Sequence, residues 1–370
     1  MSLRSTLTSA IRTSSHARRS ALVGACIALA VILALLGPGL GPIAGPSLQW
    51  ARAFVAAIVG ESRVAPVPLG EEAEAGPLRI KILEVKRDQV ATDAVLAANP
   101  VNDPPRQGVT YLAIMLAVRN VGDRPIFVAG TDFALTGQSG IVRRFIGAAP
   151  PAPAIDAVLL PGESREGWIV LAAPVEEQQL LLLFDSLSLD GVWADRVIAL
   201  GLDTTIADAP ASLAAANEVG RDPAAPAGLS TPIITNDWQI EILEVVSGAA
   251  VFDLVDYRTG ALEITDATGE KDQSYWLALR VRVTNVQAGG AVAYLPSNAF
   301  VLVDESGDPL LDIATLTPPR PDASGDYYPG ASRDGWVAFD VPLDYTAAIV
   351  RFLPYPTIAP NPDPRYLRYE

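Results

Sequence analysis

The chain has 370 residues, of which 50% are hydrophobic and 19% charged, and a formal net charge of −15. This length leaves room for two domains of ordinary size, and the acidity argues against nucleic-acid binding because an anionic surface repels phosphate backbones. The single histidine, His16, and the single cysteine, Cys26, both lie near the N-terminus. The rest of the chain therefore lacks the imidazole and thiol groups that Ser-His-Asp and Cys-His catalysis and Cys/His zinc sites require.

The N-terminal region differs in charge from the rest of the chain. Residues 1–59 contain five arginines and no acid, whereas the remainder carries a net charge of −20. Residues 21–36 form an unbroken run of apolar and small residues directly after Arg18 and Arg19. Such a run approaches the ~20 residues that span a bilayer, and flanking arginines stay in the cytoplasm. The pattern predicts a cytoplasmic basic tail at 1–19 and a transmembrane signal-anchor helix at 20–37, with all later residues extracytoplasmic.

A cleaved signal peptide is the alternative to a retained anchor, although the basic region before the apolar run is long and no clean A-x-A site follows it. A lipid-modified cysteine is expected after the apolar run, whereas Cys26 lies near its beginning. Residues 38–76 are predicted to form a juxtamembrane segment and tether. Their second apolar stretch, 48–59, is too short to span a membrane and carries Trp50 and Arg52, which suit a membrane interface.

The remaining sequence contains an internal repeat. The segment PGESREGW at 161–168 returns as PGASRDGW at 329–336, ILEV at 82–85 returns at 242–245, and VRNV at 118–121 returns as VTNV at 283–286. The order of the three motifs is kept, so we expect two copies of one domain. The predicted boundaries are domain 1 at 77–200, a linker at 201–235, domain 2 at 236–356 and a C-terminal tail at 357–370.

Apolar residues alternate with polar or small residues in the best strand candidates of both copies, as in a half-buried β-strand. The predicted inner faces are Leu112, Ile114, Leu116 and Val118 in the first copy and Leu277, Leu279, Val281 and Val283 in the second. Further strands are predicted near 79–86 and 239–246, 133–135 and 300–303, 168–173 and 336–341, and 180–184 and 348–352. With no convincing long amphipathic helix, the chain is predicted to be all-β, with two tandem immunoglobulin-like β-sandwich domains after one N-terminal transmembrane helix.

The order of these motifs resembles the DUF4352 group of bacterial extracytoplasmic domains. The residues that carry the resemblance are the strand ending in Arg/Thr-Asn-Val, the Phe-x-Leu strand with its Gly turn, and Pro-Gly-x-Ser-Arg-acid-Gly-Trp, followed by a strand that ends in proline. The resemblance covers 77–200 and 236–356 and implies an immunoglobulin-like (telokin-like) sandwich behind a signal, a lipobox or a single span, without an agreed catalytic site. The chain departs from the group in having two copies and no usable lipobox cysteine.

Several residues are candidate contacts. Arg165 with Trp168, and Arg333 with Trp336, could form a ligand patch in each copy, although a turn feeding a strand, with Trp in the core, explains the same repeat and is favoured. Tyr327 and Tyr328 lie in a Pro-rich segment, either as exposed contact residues or folded back over the sandwich edge.

The outward face of the first copy has an apolar centre at Met115, flanked by Ala113 and Ala117, where the second copy has Arg280 and Arg282. This difference predicts that the first face is covered, either by the linker or domain 2 or by an outside partner.

Acidic turns offer only a weak calcium candidate, at Asp304, Glu305 and Asp308, because the EF-hand order is missing. No catalytic or cofactor-binding residue is predicted, and no cofactor is expected. The sequence predicts a non-enzymatic, membrane-anchored binding or assembly module, such as an accessory subunit of a membrane or cell-surface complex. Its expected partners are the membrane, through the N-terminal helix, and a protein at the cell surface. The alternative is an extracytoplasmic hydrolase that acts on envelope glycans with carboxylates alone.

Overall fold

The computed structural model describes residues 59–144, 146–185, 196–202, 204–206, 213–254, 270–271, 274–287, 292–310, 318–343, 345, 348–354 and 363–370. Domain 1 consists of two antiparallel sheets, ordered β1-β2-β3-β8 and β10-β9-β5, and a two-stranded ribbon, β4-β7. Its strands are β1 (Glu72–Ala75), β2 (Leu78–Arg87), β3 (Val109–Asn120), β4 (Ile126–Val128), β5 (Phe133–Thr136), β6 (Ile141–Val142), β7 (Ala157–Leu159), β8 (Ser164–Pro174), β9 (Leu181–Phe184) and β10 (Arg196–Ala199).

Domain 2 repeats this arrangement. One sheet is ordered β11-β12-β14-β18, with β13 paired to the start of β14, and the other is ordered β16-β19-β20. The strands are β11 (Ile233–Ile234), β12 (Trp238–Ser247), β13 (Glu270–Lys271), β14 (Ser274–Asn285), β15 (Ala293–Leu295), β16 (Phe300–Val303), β17 (Gly325–Tyr327), β18 (Ser332–Pro342), β19 (Ile349–Phe352) and β20 (Arg365–Arg368).

Each domain has its own apolar core between its two sheets. The predicted inner faces of β3 and β14 are buried, and they pack with residues of the opposite sheets in two separate clusters. Burial of these faces follows from the period-two pattern, because successive side chains of a strand point to opposite sides. The all-β, β-sandwich prediction is therefore confirmed.

The repeated ILEV segment forms the same β-bulge in both domains. Ile82 pairs with Leu116 while Glu84 pairs with Met115, so Leu83 is an extra residue in β2. The register shifts at the same place in β12, between Ile242 and Glu244. A bulge bends a strand and increases its twist, which gives a structural reason for the recurrence of this segment.

In each domain, the repeated Asn segment is hydrogen-bonded to the repeated Pro-Gly segment. Gly162 adopts a φ of +84°, which favours glycine, and its N–H donates to the backbone carbonyl of Asn120 over 2.8 Å. The buried Asn120 side chain donates from Nδ2 to the carbonyls of Arg124 and Leu159 over 2.7 and 2.9 Å. Asn285 and Gly330 repeat this arrangement in domain 2.

The predicted domain boundaries need correction because both domains use chain outside them. Val67 lies in a parallel bridge to Ile198 and β1 lies within the predicted tether, so residues 59–76 belong to domain 1. In the predicted linker, Ala227 bridges to Leu367 of domain 2. That leucine lies in β20, within the predicted C-terminal tail. The bridges of Val67 and Ala227 join residues more than 100 positions apart, and β1 has only four residues, so neither leaves a clear local pattern.

The structure also contains one α-helix that the sequence analysis missed. Helix α1 (Asp88–Ala98) connects β2 to β3, and its Ala91 and Val95 pack on the outward face of the first sheet. The spacing of four between these two residues was the available signal. Among the described residues, no helix is both long and apolar enough to cross a bilayer. The predicted anchor at 20–37 lies outside those residues.

Candidate interaction surface

The two domains are joined by a strand that domain 1 adds to a sheet of domain 2. Strand β6 pairs antiparallel with β17, with Ile141 opposite Tyr327 and Val142 opposite Asp326. The backbone N–H of Tyr328 extends the pairing by donating to the carbonyl of Gly140 over 3.0 Å. Together with β15, which pairs with the other edge of β17, this makes a three-stranded sheet from both domains.

Apolar and ionic contacts reinforce this junction. The Ile141 side chain is only 2% exposed and belongs to the core cluster of domain 2. Arg144 forms ion pairs with Asp326 of domain 2 over 2.9 Å and with Asp185 of domain 1 over 2.7 Å. Domain 1 therefore contributes both a strand and a core residue to its neighbour.

Replacing Ile141 with alanine should destabilise domain 2 by about 2–4 kcal/mol, because it leaves a cavity in that domain's core. Urea unfolding of the whole chain, followed by tryptophan fluorescence, measures the change. Ile146→Ala is the control, since Ile146 is more exposed and its truncation should cost less than about 1 kcal/mol. Equal effects of the two substitutions would show that Ile141 does not stabilise the junction.

The ribbon β4-β7 of domain 1 is the counterpart of β15-β17 in domain 2. On its outward face Phe127 and Val158 lie directly opposite each other, and Leu160 follows on the same side. These three side chains are 56%, 59% and 50% exposed. We call Phe127, Val158 and Leu160 the ribbon patch. An exposed cluster of large apolar side chains is typical of a contact surface.

The corresponding positions in domain 2 are more polar and help to hold domain 1. Tyr294, Asp326 and Tyr328 stand where the ribbon patch has Phe127, Val158 and Leu160. Asp326 binds Arg144, and the guanidinium of Arg63 lies 4.5 Å from the ring centre of Tyr328. Domain 2 thus uses this surface to bind a domain of the same kind.

Residues 67–196 match the family model described as a domain of unknown function, DUF4352. Domain 1 is a DUF4352 domain. A search of curated proteins finds no match to the chain. Among solved structures, the chain is similar to the yjhA protein of Bacillus subtilis, with 18% identity over 36% of this chain and 99% of that one, and a TM-score of 0.29.

Two further solved structures are similar over one domain's length. The first is ycdA of Bacillus subtilis, a predicted lipoprotein, with 17% identity, a TM-score of 0.28 and coverage of 35% of this chain and 38% of that one. The second is a β-sandwich protein of Clostridium difficile 630, with 13% identity, a TM-score of 0.23 and coverage of 37% and 93%.

The Arg and Trp residues of the repeated motif have structural partners in both domains. In the DUF4352 domain, Arg165 donates to the carbonyl of Ala154 over 2.9 Å, and Trp168 is buried beneath Lys86, whose Nζ lies 4.4 Å from the indole ring centre. In domain 2, Arg333 donates to the carbonyls of Asp322 and Ser324, and Trp336 is buried. In both domains the arginine thus bonds backbone carbonyls and the tryptophan is buried in a small cluster outside the main core.

The two candidate tyrosines lie in different environments. Tyr327 is buried in the core of domain 2, donates from its hydroxyl to the carbonyl of Ala323 over 2.6 Å and packs edge-on against Trp238. Burial raises the pKa of its phenol to about 12. The exposed-contact interpretation is therefore wrong for Tyr327, whereas Tyr328 is half-buried at the domain junction.

Met115 lies on a face that α1 of the same domain covers in part. It packs beside the cluster that Ala91 and Val95 of α1 form with the outward residues of β3 and β8. Met115 itself is only partly buried, so coverage of the rest of this face by the linker, by domain 2 or by an outside partner stays a prediction. In domain 2 the same face carries Asp334, which pairs with Arg280 and Arg282, and these pairs lower the pKa of that carboxyl.

In the acidic turn at 304–308, the Asp304 carboxylate is hydrogen-bonded to the backbone of the turn. Asp304 Oδ1 accepts hydrogen bonds from the backbone N–H groups of Ser306 and Asp308, over 2.9 and 3.0 Å. This use of the side chain is typical of an Asx turn. In the described part of the chain, no group of three or more metal-binding side chains is close enough to hold an ion, and that part includes Asp304, Glu305 and Asp308.

An open cleft of about 450 Å³ lies beside the bulge of β2, lined mainly by leucine and glycine residues. Among the described residues that line it, Glu84 is the only carboxylate and Arg87 the only cation. Hydrolysis of glycosides with carboxylates alone requires two carboxyl groups on either side of the scissile bond. The described part of the lining contributes one such group.

Proposed function

We propose that the protein is a non-enzymatic binding or assembly module whose contact surface is the ribbon patch of Phe127, Val158 and Leu160. The observation that supports this function is the internal repeat, because the equivalent surface of domain 2 binds a β-sandwich domain through β6. In this proposal domain 1 keeps the same surface for a partner protein. The patch is more apolar than its counterpart, which favours association by burial of apolar area.

The proposal includes the location of the module. Residues 20–37 anchor the chain as a single-pass helix with the N-terminus in the cytoplasm, and two immunoglobulin-like sandwiches lie outside. The arginine-flanked apolar run supports this topology. Protease added to intact cells should then digest both domains, whereas domains protected until lysis would contradict it.

Val158→Lys should abolish recovery of the partner when the full chain is purified from detergent-solubilised membranes. Lysine places a charge in the centre of the patch, and its desolvation opposes binding. We expect at least a ~10-fold loss of any protein recovered in a fixed ratio to the chain, about 1.4 kcal/mol or more.

Val175→Lys is the matched control, because Val175 is a valine of the same domain with 63% exposure and lies outside the patch. Both variants should keep the unfolding free energy of the wild type within about 0.5 kcal/mol, as expected for surface substitutions. Identical sets and amounts of recovered proteins for wild type and both variants would contradict the proposed surface.

A further inference from the structure

Among the described residues, one edge of β7 has no strand paired to it, whereas the equivalent edge in domain 2 is occupied. Strand β7 pairs with β4, and no other strand of the described chain pairs with it. Its counterpart β17 pairs with β15 on one edge and with β6 on the other. The repeat therefore shows the same ribbon once with an added strand and once without.

The backbone N–H directly after each strand, that of Leu160 after β7 and that of Tyr328 after β17, makes a different hydrogen bond in the two domains. In domain 2 the N–H of Tyr328 donates to the carbonyl of Gly140, the residue before β6. In domain 1 the N–H of Leu160 donates to Oε2 of Glu163 over 2.8 Å. Domain 2 has Ala331 in place of Glu163, and alanine leaves the amide for the incoming strand. The Glu163 carboxylate thus occupies the place that a partner's carbonyl takes in domain 2.

We propose that the free edge of β7 accepts an extended apolar segment of a partner protein. The segment adds antiparallel in the register that β6 uses on β17, and its carbonyl displaces Glu163 from the amide of Leu160. This inference rests on the proposed function and specifies how the partner binds. Strand addition gains affinity from main-chain hydrogen bonds and specificity from alternate side chains. Until a segment binds, the charged side chain of Glu163 protects this edge of β7.

The residues around the edge define the chemistry of the segment. In the junction, Arg144 of the added strand pairs with Asp326. Domain 1 has Val158 at the position of Asp326, so a cation in the incoming segment has no partner there. Cross-strand pairs favour β-branched or aromatic side chains opposite valine. The segment therefore carries apolar residues facing Phe127 and Val158, and it contains no proline because each alternate N–H must donate.

A labelled peptide that copies residues 137–144 with Arg144→Val tests the edge directly. Fluorescence anisotropy with the full chain in detergent should show saturable binding, and Val142→Pro in the peptide should weaken binding at least ~10-fold. In the chain, Glu163→Ala should tighten binding about 3- to 10-fold, because it removes the competing carboxylate and installs the residue found in domain 2. Val158→Lys should weaken it at least ~10-fold. Amide exchange at residues 157–160 should slow when the peptide is added.

The outcomes separate this inference from the proposed function. If the peptide binds neither the wild type nor Glu163→Ala, strand addition is overturned, while loss of the partner in Val158→Lys would still support the patch as a contact surface. A peptide that binds equally well with and without Val142→Pro also overturns strand addition. If sedimentation reveals a concentration-dependent dimer that Val158→Lys abolishes, the occupant is a second copy of the chain and the inference is wrong.

Discussion

Replacing Gly335 or Gly167 with alanine is expected to destabilise the affected domain by about 3 kcal/mol or more. A Cβ at Gly335 would lie 2.7 Å from backbone atoms of Asp322 and Ala323, and one at Gly167 would lie 2.5–2.6 Å from backbone atoms of Ala154 and Ile155. Backbone cannot move aside as the end of a flexible side chain can, so the strand must shift. Overpacking of this kind typically costs 1–3 kcal/mol and occasionally more.

The physical cause is the same in both domains. Next to each glycine, Trp168 and Trp336 form parallel bridges with Ala154 and Asp322, so a crossing segment passes directly over the glycine. Thermal unfolding of the full chain should show a fall of roughly 10 °C in one transition. Gly130→Ala is the control, because its Cβ would meet only Ile169 Cγ2 at 3.7 Å. If Gly335→Ala and Gly130→Ala unfold at the same temperature, the crossing is not as close as described.

Asn120→Ala and Asn285→Ala are each expected to lower the free energy of unfolding by about 3 kcal/mol, which is the second large effect. Both side chains are fully buried, and each donates to a carbonyl at the end of a ribbon strand, Leu159 or Tyr327. Alanine leaves these carbonyls without that donor and opens a small cavity. An unsatisfied buried polar group costs about 1–3 kcal/mol, to which the cavity adds.

Aspartate distinguishes the hydrogen bonds from packing, because Asn120→Asp keeps the shape and the acceptor but removes both donors. Urea unfolding at neutral pH should therefore show a loss at least as large as that of alanine, since a buried carboxylate facing carbonyl oxygens is unfavourable. The exposed Asn298 provides the control, with an expected change within about 0.5 kcal/mol for Asn298→Ala. A fully stable Asn120→Asp variant would mean that packing alone explains the residue.

The sequence was informative where a local pattern carries the fold. Alternation in β3 and β14 predicted which side chains are buried, and the internal repeat predicted two domains with matching turns. The same repeat could not distinguish a binding motif from a structural one. The close crossings at Gly167 and Gly335 decide that question, and they involve residues more than ten positions away.

No local sequence pattern predicted the junction between the two domains. Strand β6 is two residues long and follows a glycine, and its partner β17 lies more than 180 residues later. Tyr327 likewise appeared to be a loop residue because its neighbours are proline and glycine, whereas its ring completes the core behind Trp238. The role of Glu163 emerges only when its bond to Leu160 is compared with Ala331 in domain 2.

The donated strand also has a consequence for synthesis of the chain. Ribosomes deliver domain 1 first, and β5 is then already present to hold the turn that carries Ile141, through the bridge between Leu135 and Arg143. Domain 2 is synthesised later, when β6 is already available to pair with β17. Its last core residue thus comes from the part of the chain that folded before it, and vectorial synthesis in the N-to-C direction supplies the pieces in the order in which they are used.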